Sequence, residues 1–68
     1  MTLMDSSSYQ IFLSEMSVEG LEIETKTVIR QNVEKYPDTA MLIQHCLNEY
    51  NRRGIGDVFL AVYNEAIS

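Results

Sequence analysis

A chain of 68 residues with one cysteine, Cys46, and one histidine, His45, has no covalent or metal staple available to it. A disulfide needs two thiols, and a structural metal needs several donors at chelating spacing, whereas these two residues stand side by side. A fold this short buries only about 60% of the surface its unfolded chain exposes, so side-chain packing must hold it, with a second subunit or a partner as the expected supplement. The length has room for one core, which predicts a single domain over residues 9–68 preceded by a flexible stretch over 1–8. A hydrophobic fraction of 46% is that of a folded globule rather than a disordered chain.

Ten acidic residues against five basic ones leave a formal net charge of −5. That charge repels a phosphate backbone and weakens attraction to anionic lipid, so neither nucleic acid nor membrane is an expected partner. The acidic excess serves solubility, or complements a basic surface on another protein. Mimicry of nucleic acid would call for a dense Asp/Glu run, and there is none. No apolar stretch approaches the ~20 residues that span a bilayer, and residues 1–8 lack the cations of a targeting signal. A cytoplasmic address is expected, in keeping with a lone reduced thiol.

The pattern along the chain predicts an all-α fold, a small bundle of three to four short helices ending in a helical hairpin. Asp5 or one of Ser6, Ser7 and Ser8 is placed to cap a two-turn helix over 9–16, with Tyr9, Phe12, Leu13 and Met16 on its buried stripe. Residues 17–36 fit two templates. As a helix they align Val18, Leu21, Val28, Ile29, Val33 and Tyr36, and pair Glu22 with Lys26 on the wet side. As a strand, Leu21, Ile23, Thr25, Thr27 and Ile29 alternate with Glu22, Glu24, Lys26, Val28 and Arg30, giving an α+β alternative with an N-terminal hairpin packed on two helices. Gly20 and the β-branched residues from Thr25 to Ile29 lower helix propensity, while residues 31–35 favour helix. The helix is the expected outcome.

Tyr36-Pro37-Asp38 ends that segment, because the residue before a proline is pushed out of the helical region. Asp38 or Thr39 then caps a helix over 39–53 whose buried stripe is Ala40, Ile43, Cys46, Leu47 and Tyr50. Gly54, after Arg52 and Arg53, supplies a left-handed stop, with cations for the negative helix end. Ile55-Gly56 make a tight connector, Asp57 offers another cap, and residues 58–67 form the returning helix.

No constellation of catalytic residues emerges. Adjacent helical residues point about 100° apart, so His45 and Cys46 cannot act as base and nucleophile together; a core thiol and a solvated imidazole are expected instead. Glu22 and Glu24 share a face only on a strand, and the scattered glycines form no phosphate-cradling loop. The returning helix carries no Lys or Arg, which argues against a DNA-reading helix-turn-helix. No enzyme activity, cofactor or metal is therefore expected.

The feature left over is the run Val58-Phe59-Leu60-Ala61-Val62-Tyr63. Six consecutive apolar residues cover the whole circumference of a helix, so one face meets the core while another needs a cover. Phe59, Leu60 and Tyr63 are the expected interface residues, with Ile55 and Tyr50 beside them and Arg52 and Arg53 at the rim, since aromatic anchors favour interface centres. A homodimer or a protein partner of another kind would supply the cover.

The stretch Asn48-Glu49-Tyr50-Asn51-Arg52-Arg53-Gly54-Ile55-Gly56-Asp57-Val58-Phe59 resembles the helical hairpin of the small sporulation-checkpoint inhibitors called Sda, which dock onto a sensor histidine kinase. The resemblance is confined to those residues. It implies a hairpin whose connector and flanking apolar side chains press on a signalling protein. The expected function is a non-catalytic interaction module, an adaptor or inhibitor that docks a helical face onto a regulatory or signalling protein. The alternative is a small structural subunit or assembly factor of a larger complex, ordered only when bound.

Overall fold

The computed structural model describes residues 6–68, with side chains from Ser8 onward. Four helices follow one another among these residues: α1 (Ser6–Ser14), α2 (Val18–Val33), α3 (Thr39–Arg52) and α4 (Gly56–Ile67). They contain no strand, so the fold is the small all-α bundle, and the α+β alternative for residues 21–30 does not occur.

Three local features settle α2 as a helix. Ser17 Oγ accepts from Gly20 N at 3.1 Å, capping its start. Inside it, Thr25 and Thr27 turn their hydroxyls back onto the carbonyls of Leu21 and Ile23 at 2.7 and 3.0 Å, so these β-branched residues leave no hydroxyl wanting. Its buried positions are Leu21, Thr25, Val28 and Ile29, a stripe of helical and not of alternating period.

The two helix ends facing the connectors share one architecture. At α3, Gly54 adopts φ 75°; its N–H donates to Asn51 O at 3.0 Å, and Ile55 N donates to Tyr50 O at 2.9 Å. This pair of bonds is the Schellman stop that the glycine predicts. At α2 the same pair forms with Lys35 at φ 66°, as Lys35 N reaches Asn32 O at 2.9 Å and Tyr36 N reaches Gln31 O at 3.0 Å. A lysine thus occupies a left-handed position that favours glycine, and Pro37 completes the stop.

Several expected caps take other forms. Ser6, Ser7 and Ser8 lie in the first turn of α1, and the candidate cap Asp5 lies outside the described residues. Asp38 sits at φ 65° and makes no side-chain cap bond. Thr39 instead ties the entry to α3, its hydroxyl donating to Tyr36 O at 2.9 Å and accepting from Asn32 Nδ2 at 3.0 Å. Asp57 falls inside the first turn of α4, where it opposes the helix dipole, and Ile55 holds the N-cap position. Lys26 pairs with Glu65 of α4 at 2.6 Å rather than with Glu22.

The core gathers Tyr9 and Leu13 of α1, Leu21 of α2, Cys46 and Tyr50 of α3, and Phe59 of α4, with Met16, Leu42, Ile43, Leu47, Ile55 and Val58 packed against it. α4 packs chiefly on α2, and α1 on α3. Phe12, Val18, Val33 and Tyr36, expected on buried stripes, are exposed, and so is Ala40. A bundle of such short helices has one narrow core, and each helix reaches it with a single row of side chains.

Replacing Lys35 by glycine removes the cost of a side chain in the left-handed region, about 0.5–1 kcal/mol. Thermal unfolding followed by circular dichroism is expected to show Lys35→Gly melting several degrees above the wild type.

Candidate functional site

The apolar run on α4 divides into two flanks. Phe59, Val62 and Ala66 are buried, and the Phe59 ring meets Tyr50 edge to face with centroids 5.5 Å apart. Leu60, Tyr63 and Ile67 recur at the i, i+3, i+7 spacing of one helical flank and are 64%, 37% and 51% exposed. Tyr63 is steadied by Phe59, with ring centroids 6.1 Å apart, so its ring bridges the core and the outer flank. At the C-terminal end Ile67 joins Val33, Arg30, Glu34 and Ala66 in lining a shallow groove between α2 and α4.

The expected interface set therefore splits. Leu60 and Tyr63 reach the surface, while Tyr50 and Phe59 are core residues and present no docking face. Ile55 is half-buried against the core. The split has a simple cause: an uninterrupted apolar run carries no periodicity, so the sequence alone does not say which side of the helix turns inward. Ile67, beyond the end of that run, belongs to the outer flank and was missed for that reason.

Arg52 and Arg53 have a different task from a rim. The Glu49 side chain shows no exposed surface, yet it sits one turn from the negative end of α3. Arg52 Nη2 grips its Oε2 at 2.6 Å and Arg52 Nε its Oε1 at 3.0 Å, a bidentate fork. Arg53 Nε donates to the same Oε2. Arg53 then spends its Nη2 on the end of α1 and the turn after it, donating to Leu13 O at 3.0 Å, Ser14 O at 3.4 Å and Met16 O at 2.7 Å. The hydrogen bonds from Arg52 lead in holding the Glu49 carboxyl at about 2, and Arg53 adds to them against the opposing effect of burial.

The single thiol and the single imidazole engage separate partners. Cys46 is buried, with Sγ 3.9 Å from Tyr9 Oη, and burial pushes its thiol up. Tyr9 donates to Glu24 Oε2 at 2.8 Å, and its phenol is pushed well up, first by burial and then by Cys46 and Glu24. His45 Nδ1 lies 3.0 Å from Gln10 Oε1, and Gln10 Nε2 donates to His45 O at 3.4 Å, so the imidazole tethers α1 to α3. The His45 ring edge at Nε2 is buried without a partner among the described residues. Among those residues no group of three or more His, Cys, Asp or Glu is arranged to hold a metal ion, and no helix is long and apolar enough to cross a membrane.

The charge is unevenly placed along the chain. Asp5, Glu15, Glu19, Glu22 and Glu24 precede the first basic residue, Lys26; from there on, five acidic residues are matched by five basic ones. The whole surplus therefore belongs to the first 25 residues, and the half of the chain that holds α4 is neutral. Comparisons with protein families, with curated proteins and with solved structures find no match to the chain.

Because the folded carboxyl of Glu49 titrates below its unfolded value, its stabilisation is complete above about pH 4.5 and is lost as the pH falls toward about 2. With Arg52 exposed and screened, the contribution is about 2 kcal/mol. Urea unfolding of wild type and Glu49→Gln is expected to differ by that amount at pH 7, with the difference shrinking steadily below pH 4.5.

Proposed function

We propose that the chain is a non-catalytic protein-interaction module, an adaptor or inhibitor, that docks the outer flank of α4 onto a regulatory or signalling protein. The observation that carries this reading is the exposed row Leu60, Tyr63 and Ile67, set on a helix whose opposite row is fully used by the core. An ordered apolar row on a rigid helix gains by being covered and loses little entropy on binding. Tyr63 suits the centre of such a contact, since its ring is fixed from one side by Phe59 and its hydroxyl can stay wet at the edge. One helical flank offers less than the ~800 Å² per partner of a standard stable interface, which fits a reversible regulatory contact.

In isolation the same flank is proposed to cover itself with a second copy. The neutral half of the chain then meets its equivalent, and the acidic halves need not approach each other. A cytoplasmic setting accords with the reduced, buried Cys46.

A photo-crosslinking residue placed at position 60 in the native host is expected to yield a protein adduct that Ile67→Asp abolishes, while the same group at position 48, on α3, yields none. Loss of the adduct with the variant still helical by circular dichroism supports the α4 flank. An adduct indifferent to Ile67→Asp, or none from position 60, rejects it. Sedimentation of the isolated chain is expected to show a monomer–dimer equilibrium that Leu60→Asp shifts to monomer.

A further inference from the structure

We propose that the outer face of α1, together with the first turns of α2, is a second docking surface whose occupant is a basic amphipathic helix of another protein. The face has its own geometry. Tyr9 and Leu13 seal one side of α1 into the core, while Ser8, Ile11, Phe12 and Glu15 recur at i, i+3, i+4 and i+7 on the other side. Ile11 is 59% exposed and Phe12 39%, and the Phe12 ring rests against Tyr9 with centroids 6.0 Å apart. On the adjoining helix, Ile23 is 68% exposed beside Glu19 and Glu22. The bond from Tyr9 to Glu24 links the two helices at one point.

The charge around these apolar side chains selects the partner. No basic residue precedes Lys26, and among the described residues no ion pair reaches Glu15, Glu19 or Glu22. Glu49 and Glu65, by contrast, are neutralised by Arg52, Arg53 and Lys26. Apolar anchors set among uncompensated carboxylates reject a second copy of the same face, an anionic lipid surface and nucleic acid, because each brings like charge. A helix with an apolar stripe flanked by Lys or Arg meets both needs: its stripe covers Ile11, Phe12 and Ile23, and its cations pair with the free glutamates. The platform is held for such a contact, since Arg53 fixes the carbonyl end of α1 from beneath.

The surface is distinct from the α4 flank, and its test is independent of that flank. A synthetic amphipathic helix of leucine and lysine, titrated into the full chain and followed by amide NMR, is expected to shift resonances of residues 8–24 and to leave α4 unmoved. Raising the salt from about 0.05 M to about 0.3 M is expected to weaken binding at least tenfold. Ile11→Ser, at a well-exposed position, and the double variant Glu15→Lys with Glu19→Lys are each expected to weaken it about tenfold, while Leu60→Asp leaves it unchanged. Three results overturn the proposal: shifts centred on α4, equal binding by the same helix with glutamate in place of lysine, or equal binding of the leucine–lysine helix by wild type and Ile11→Ser. Movement of the α1 amides on dilution of the protein alone assigns the face to a second copy and overturns it as well.

Discussion

A carboxylate with no exposed surface, near the negative end of a helix, is doubly disfavoured: by loss of water and by the helix dipole. Glu49 is tolerable only because Arg52 and Arg53 surround it, and that necessity organises the bundle. Arg53 is held by Glu49 in the one orientation that brings its remaining N–H groups to Leu13, Ser14 and Met16. Leu13 O and Ser14 O belong to the last turn of α1 and Met16 O to the turn that follows it, so the group that neutralises a buried charge also fixes the end of α1. Replacing such a cluster by hydrocarbon often costs little in net stability. What hydrocarbon cannot do is fix the end of a nine-residue helix at one place on its neighbour, and a helix that short has no stability of its own.

The consequence reaches the surface. α3 supplies Cys46, Glu49 and Tyr50 to the interior, and α1, α2 and α4 are arranged around it. With α1 clasped to α3 and α4 laid chiefly on α2, no helix among the described residues remains to cover the far side of either. The exposed rows of α1 and α4 are therefore products of one economy: a chain of this length has enough helices to bury one row each, and its sequence puts apolar residues on a second row of two of them.

Much of this was legible in the residues. Gly54 after a paired arginine, a capped stretch before it and an apolar stretch beyond it gave the α3–α4 hairpin, because those signals are local and chiral. The segment around Thr25 to Ile29 was readable both ways, since propensity and alternation pulled against helical spacing, and the hydroxyl back-bonds that reconcile threonine with a helix have no mark in the sequence. The left-handed Lys35 was hidden for the opposite reason, as nothing about a lysine announces that conformation. Arg52 and Arg53 read as charge compensation for a helix end. Their spacing of three and four residues from Glu49 puts all three on one face of α3, which the sequence does encode; that Arg53 also reaches Leu13, Ser14 and Met16 depends on α1 arriving from far along the chain, which no local pattern encodes. Tyr50 reads as part of the buried stripe of α3, and it is there, not in an interface; Phe59 reads as surface because only the placement of α4 against its neighbours decides which row of an all-apolar run turns inward.

The two exposed rows differ in a way that bears on what each accepts. The α4 row stands in the neutral part of the chain; on its α2 side Glu65 is paired with Lys26, and Glu34 lines the groove together with Arg30. The α1 row stands in the stretch that precedes the first basic residue, and its Glu15, Glu19 and Glu22 make no ion pair among the described residues, although Arg53 reaches the carbonyl end of α1. Association proposed at the first would be governed by fit and burial, and tolerant of salt; association proposed at the second would be steered by field and weaken as ions screen it. Because the clasp joins α1 to the end of the helix that turns into α4, both rows are carried on one rigid frame. If the proposed contacts form, a partner on the acidic row would be carried at a set angle to whatever covers Leu60, Tyr63 and Ile67, as the proposed adaptor role would require.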